Sequence, residues 1–137
     1  MIRTARVTML VLVVSVVSAC SLFGRGGQDR FVREDAPRTS PSGQFTASLK
    51  PGPEQSGVKT WAVVISDKDG GEVFRDPRNY SDRHGVGVTW LSSADQLWIL
   101  SSDIGTSYVE RQGGAWVKTE ITPETRDRIP DEIQKLK

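Results

Sequence analysis

One cysteine, Cys20, and one histidine, His84, stand in a chain of 137 residues. A lone cysteine excludes an intramolecular disulfide and a thiolate-built metal site, so stability has to come from an apolar core. Charge of either sign is also never in excess: 18 Lys and Arg face 17 Asp and Glu, a formal net charge of +1. Such a balance builds neither the basic stripe that nucleic acid requires nor a polybasic grip on anionic lipid. Long hydrophobic runs are missing except for one, Val7 to Val17, which is shorter than the roughly 20 residues needed to cross a bilayer core. Nothing in the composition calls for a cofactor or a metal.

That single run is informative because of what flanks it. Arg3 and Arg6 precede it, and Val17-Ser18-Ala19-Cys20 closes it with small residues, the layout of an export signal rather than of a retained membrane helix. The last four residues resemble the lipobox of bacterial lipoprotein precursors. The resemblance covers residues 1 to 20. It implies cleavage after Ala19, a diacylglyceryl group on the Cys20 thiol, and a mature chain beginning at Cys20 on the extracytoplasmic face of the membrane. Each buried methylene adds about 0.8 kcal/mol of membrane affinity, so paired acyl chains hold where one does not. Removing Arg3 and Arg6 from the 18 basic residues leaves 16 against 17 acidic ones, so lipid alone would account for membrane association.

Three parts follow: residues 1–19 as signal, 20–43 as a lipid-anchored flexible linker, and 44–137 as a small β-rich domain. The linker reading rests on the Gly, Arg, Pro and Ser between Ser21 and Gly43. A coil of that length would hold the domain about 25 Å off the membrane. Phe31-Val32 as a loose first strand is the alternative to a tether that continues to residue 43.

Beyond Ser40 the hydrophobic pattern has period two, interrupted by turn residues. Phe45, Ala47 and Leu49 alternate with Thr46 and Ser48, and Pro51-Gly52-Pro53 stops that strand. Lys59 to Ser66 is apolar on both faces and reads as central. Asp67 to Gly71 turns the chain into Glu72-Val73-Phe74, and the polar, proline-bearing Asp76 to Arg83 reads as a long loop. Strands follow at Val86 to Leu91, Gln96 to Ser101, Ser107 to Arg111 and Ala115 to Ile121. Thr122-Pro123-Glu124 carries helix-start chemistry, and Ile129, Ile133 and Leu136 form one apolar side. The expected fold is therefore mainly β: a single antiparallel meander sheet or small sandwich of six or seven strands with a short C-terminal helical cap.

Ser40-Pro41-Ser42-Gly43-Gln44-Phe45 resembles the opening of a strand in a β-propeller blade, but the motif occurs once and one blade closes no ring. A blade-like meander is what the resemblance implies. The later segments, an aspartate, a Gly-rich turn and a Trp-bearing strand pair, are similar to small exported bacterial proteins and imply no activity.

Three constellations carry candidate chemistry. Asp67, Asp69 and Glu72 open like a calcium loop, yet position twelve would be Arg78 and no flanking helices exist, so a hairpin turn is the reading. His84, beside Asp82 and Arg83, could serve as a base in a small extracytoplasmic hydrolase, although no serine here sits in a nucleophile motif. Finally, a three-residue turn Gln112-Gly113-Gly114 would set Val109 opposite Val117 and place Tyr108 and Trp116 on one polar face with Glu110 and Lys118. Tyr108 and Trp116 are thus candidate binding residues, against the more ordinary reading that Ile129, Ile133 and Leu136 cover them as a second small core. The function expected is a non-catalytic binding or accessory module that contacts an envelope protein or wall polymer, with the His84 hydrolase as the alternative.

Intact mass of protein extracted from membranes is expected to equal residues 20–137 plus a diacylglyceryl group. A mass that still includes Val7, or that lacks lipid on Cys20, would end the anchor reading.

Overall fold

The structure, a computed structural model, describes residues 30–137. Residues 1–19 and Cys20 lie outside them. Eight strands form two four-stranded antiparallel meanders: β1 (Arg38–Thr39), β2 (Thr46–Pro51), β3 (Thr60–Ser66) and β4 (Glu72–Ser81) in one sheet, β5 (Gly87–Trp90), β6 (Gln96–Ser101), β7 (Gly105–Gln112) and β8 (Ala115–Glu120) in the other. A 3-10 helix (Pro123–Arg128) and a one-turn α1 (Asp131–Gln134) follow. The fold is mainly β with a helical cap, as the alternation predicts; of a single meander sheet and a small sandwich it is the sandwich, with eight strands in place of six or seven.

Two cores hold it. Between the sheets lie Ala47, Val63, Ile65 and Tyr80 from the first, and Val88, Trp90, Leu97, Ile99 and Val109 from the second. On the outer face of the second sheet, Trp98 and Tyr108 pack at 4.9 Å under Ile129 and Ile133. Strand β6 feeds both cores, which is why Leu97 to Leu100 reads as apolar on both sides. A buried large aliphatic truncated to alanine in such packing costs about 2 to 5 kcal/mol, so α1 is held by Ile133, which is fully buried, rather than by its own single turn.

Two segments differ from expectation. Residues 30–43, taken as the second half of a linker, belong to the fold. Val32 is buried in the inter-sheet core and its N–H donates to the Val88 carbonyl at 2.7 Å. The Arg30 guanidinium donates to Thr89 Oγ1, the Trp90 carbonyl and Glu132 Oε2 at 2.8 to 3.0 Å. Composition points to a tether because these fastenings are mostly polar and use residues scattered 56 to 102 positions away, from Val32 with Val88 to Arg30 with Glu132. Phe31-Val32, the alternative start, marks the folded chain better than residue 44.

The second difference is Asp76 to Arg83, expected as a loop. Strand β4 runs on to Ser81. It accommodates Pro77 by a bulge: Val64 pairs with Arg75 and Ala62 with Asn79, so β4 carries extra residues opposite Val63. Asp76 Oδ1 accepts the Arg78 N–H at 2.9 Å and closes the bulge. Proline on an edge strand at a bulge loses no ladder hydrogen bond.

That bulge turns Asp76 into the interior, where its side chain is fully buried. Lys118 Nζ donates to both its carboxylate oxygens at 3.0 and 2.9 Å and to Tyr80 Oη at 3.0 Å, while the Tyr80 hydroxyl donates to Asp76 Oδ2 at 2.6 Å. All three ammonium protons are used. Burial, then the bond to Asp76 and its charge, push the Tyr80 hydroxyl far above its ordinary pKa, so it remains a donor. The cluster closes the side of the sandwich where edge strands β4 and β8 meet.

Removing one partner from a buried pair leaves an uncompensated charge and costs about 3 to 5 kcal/mol. Lys118→Met is therefore expected to lower the urea midpoint sharply, and adding Asp76→Leu to it to recover part of the loss. Equal midpoints for Lys118→Met and wild type would show that the cluster contributes nothing.

Candidate functional site

The strands of both sheets end in turns at one end of the sandwich. Residues 40–45 join β1 to β2, Asp67 to Gly71 join β3 to β4, and Gly113-Gly114 join β7 to β8. Between these hairpin tips lies a groove of about 580 Å³ lined by Phe45, Asp67, Val73, Arg111, Ala115 and Trp116. That volume lies within the range of small-ligand clefts.

Each lining residue arrives there for a local reason. Gly113 and Gly114 both have positive φ, 58° and 86°, which admits a tight two-residue turn between the paired Gln112 and Ala115. Directly opposite pairs are then Arg111 with Trp116 and Val109 with Lys118. Since Val109 faces the core, Arg111, Trp116 and Lys118 share its face. Phe45 follows the turn that opens at Ser40, where Gly43 takes φ 75° and the Ser40 N–H donates to the Phe45 carbonyl at 2.8 Å.

This turn is fastened to the opposite sheet by Asp95, which accepts the Ser42 N–H at 3.0 Å and the Ser42 hydroxyl. Burial pushes the Asp95 carboxyl upward, but the bonds from Ser42 and Ser40 and the positive charge of Arg111 outweigh it and hold the pKa below the usual value. Asp95 therefore stays ionised and keeps the turn in place.

The groove's floor is aromatic. Phe45 and Trp116 meet edge to face, 4.9 Å apart at 85°, with Trp90 6.4 Å behind Trp116. Arg111 lays its guanidinium over the Phe45 ring, 5.6 Å from the centroid, and forms no ion pair among the described residues. On the facing wall, Asp67 Oδ1 accepts the Asp69 and Gly71 N–H groups at 3.0 and 2.8 Å, while Oδ2 accepts none among the described residues. Val73, one of two exposed large hydrophobic residues among those described, stands beside it.

Tryptophan N–H groups sharpen the picture. Trp61 donates to Asp82, Trp90 to the Arg38 carbonyl and Trp98 to Gln96, at 2.8 to 3.1 Å. The Trp116 indole N–H has no acceptor among the described residues, and no buried side-chain polar atom there lacks a partner, so this donor faces solvent. Trp116, Arg111 and one oxygen of Asp67 are thus left available at one place.

The pair Tyr108 and Trp116, expected on one face, is separated. Pairing through a two-residue turn rather than a three-residue one moves β8 by one position and reverses its faces. Tyr108 opposes Thr119 on the outer face and is buried against Trp98, as the covering by Ile129 and Ile133 would have it; Trp116 stands at the groove. Phe45 was legible only as a strand residue and Asp67 only as a turn residue. Arg111 carried a usable signal: it shares parity with Val109, and a charge on an apolar face at a strand end marks a rim.

His84 lies in the exposed turn between β4 and β5, at the other end of the sandwich. Its carbonyl accepts the Ser102 hydroxyl at 3.4 Å. No site can combine it with the groove. No family model matches this chain, and no curated protein or solved structure matches it.

In ¹⁵N-labelled protein, the Trp116 indole proton is expected to exchange with water fastest of the four, and Trp98 slowest. Protection of Trp116 equal to that of Trp98 would mean that the groove is closed.

Proposed function

We propose that this chain is a lipid-anchored lipoprotein of the bacterial cell envelope whose β-sandwich acts as a non-catalytic binding or accessory module. In this reading residues 1–19 are removed as a signal peptide, Cys20 carries the lipid, and the domain works at the extracytoplasmic face of the membrane. Its partner is an envelope protein or a wall polymer. The anchor rests on the sequence of the first 20 residues. The binding role is supported by one observation above all: at a ligand-sized groove, Arg111 and Trp116 hold donors that no described residue accepts.

Recognition surfaces commonly combine aromatic rings with arginine, because rings bury area at low entropic cost and a guanidinium offers directional donors. Here Trp116, half-buried beside Phe45 at the edge of the inter-sheet core, leaves its N–H to the groove. The charge balance adds to the same reading, since the partner has to be met by shape and a few polar contacts rather than by a general field.

In-cell crosslinking with mass spectrometry, comparing the wild-type protein with Arg111→Ala, tests the proposal. Arg111 is exposed and outside both cores, so the variant should fold, with a thermal midpoint close to wild type. A neighbour captured by the wild type and lost at least several-fold in Arg111→Ala is expected. Identical capture by both would move the interaction away from the groove and remove its support.

A further inference from the structure

Resting on the binding-module reading, we infer that the groove takes a short peptide with a free carboxylate and a free amino group, rather than a sugar chain. The argument begins with the floor. Sugars bind aromatic residues by laying a ring face on an open π-face, but the Arg111 guanidinium already occupies one face of Phe45, and Trp116 meets that ring at 85°. Phe45 and Trp116 therefore form a corner instead of a platform. A corner suits a small apolar side chain, which Val73 and Ala115 enclose from the sides.

The walls carry opposite charge. Arg111 presents a planar fork beside the Phe45 ring, and such a fork pairs with carboxylates through two parallel hydrogen bonds. Asp67 faces it with Oδ2 open, while Oδ1 is committed to the turn. The carboxylate is thus fixed in place yet keeps one acceptor for an ammonium or an amide N–H. The Trp116 N–H adds a donor suited to a peptide carbonyl. A ligand with an anionic end, a carbonyl and a cationic end matches all three groups, and a short peptide has them in that order. A neutral glycan would pair with neither charge, whereas the two termini of a peptide engage both.

The lining fits this assignment in a further respect. Arg111 is the cation of the groove's own lining, and Lys68 stands in the adjoining pocket that shares Phe45 and Asp67. Asp95 lends Arg111 negative charge from the neighbouring turn, but no ion pair joins the two among the described residues, so the guanidinium's donors stay free.

The test uses the full chain purified in detergent, with the Trp116 indole resonance as reporter. The probes are tetra-alanine with free termini, its C-terminal amide, its N-acetyl form, and a chitin tetrasaccharide. Free tetra-alanine is expected to shift the Trp116 signal saturably, and the amide to bind about tenfold more weakly, since charge-assisted bonds are the stronger ones. Arg111→Gln should weaken free tetra-alanine by a similar factor and abolish its advantage over the amide. Asp67→Asn, which keeps Oδ1 for the turn, should erase the difference between free and N-acetylated peptide. Trp116→Phe keeps the ring and removes the N–H. With backbone amide shifts as reporter it should bind several-fold more weakly, and it guards against misfolding of a smaller replacement. Equal binding of acid and amide, saturation by the tetrasaccharide alone, or no shift with any probe would overturn the peptide assignment. None of these results depends on the crosslinking contrast at Arg111, so failure here and failure of the module reading are told apart.

Discussion

Nearly everything distinctive in this molecule depends on the register of β7 and β8, fixed by the two-residue turn at Gly113-Gly114. Both glycines take positive φ. With Gln112 opposite Ala115, the inward set on β8 becomes Trp116 and Lys118. Lys118 can then reach Asp76 across the sandwich, and Trp116 can meet Phe45. A shift of one residue would send both outward and bring Val117 in, losing the buried ion pair, the aromatic corner and the covering of Tyr108 together. Register in a sheet with two occupied faces is an all-or-none variable.

The Lys118 cluster shows how this one choice spreads. Asp76 is turned inward by a bulge on β4, and that bulge exists because Pro77 cannot take part in a regular ladder. Two irregularities in different sheets, a bulge and a glycine turn, supply the two ends of one ion pair. Hydrophobic packing brings the sheets together, and the cluster ties their edge strands β4 and β8 to each other. Breaking a buried pair of this kind is costly, whereas replacing it whole by apolar residues is often neutral.

Much of the fold was legible from alternation. The double-sided strands β3 and β6, the turn at Asp67 to Gly71 and the helical cap all follow from residue pattern, because burial on known faces produces period two. What the pattern could not carry is equally physical. Asp76 to Ser81 looks like a loop because a bulge with proline and polar residues has the composition of one. Arg30 to Gly43 looks like a tether because its fastenings are hydrogen bonds to distant positions. The turn length at Gln112-Gly113-Gly114 is ambiguous by one residue, and that residue decides whether Tyr108 or Arg111 accompanies Trp116. Of the groove, Trp116 was foreseen, while Phe45, Arg111 and Asp67 acquired their meaning only when three hairpin tips came together.

The clasp at Arg30 bears on mechanics. Its guanidinium joins the start of the described chain to Glu132 on α1, and Glu132 accepts the Ser92 N–H and hydroxyl at 3.1 and 2.9 Å. Burial works against ionisation of Glu132, yet those bonds and Arg30 prevail and keep it charged. Tension arriving from residues ahead of Arg30 therefore falls first on this clasp, and through it on the short helix that lids Trp98 and Tyr108. The Val32 bond to Val88 lies next in the line of load, and only beyond it do the two sheets carry force. Two fastenings in series thus tie the first described residues to the domain, one to the helical lid and one to the second sheet, and the hairpin tips that line the groove take part in neither.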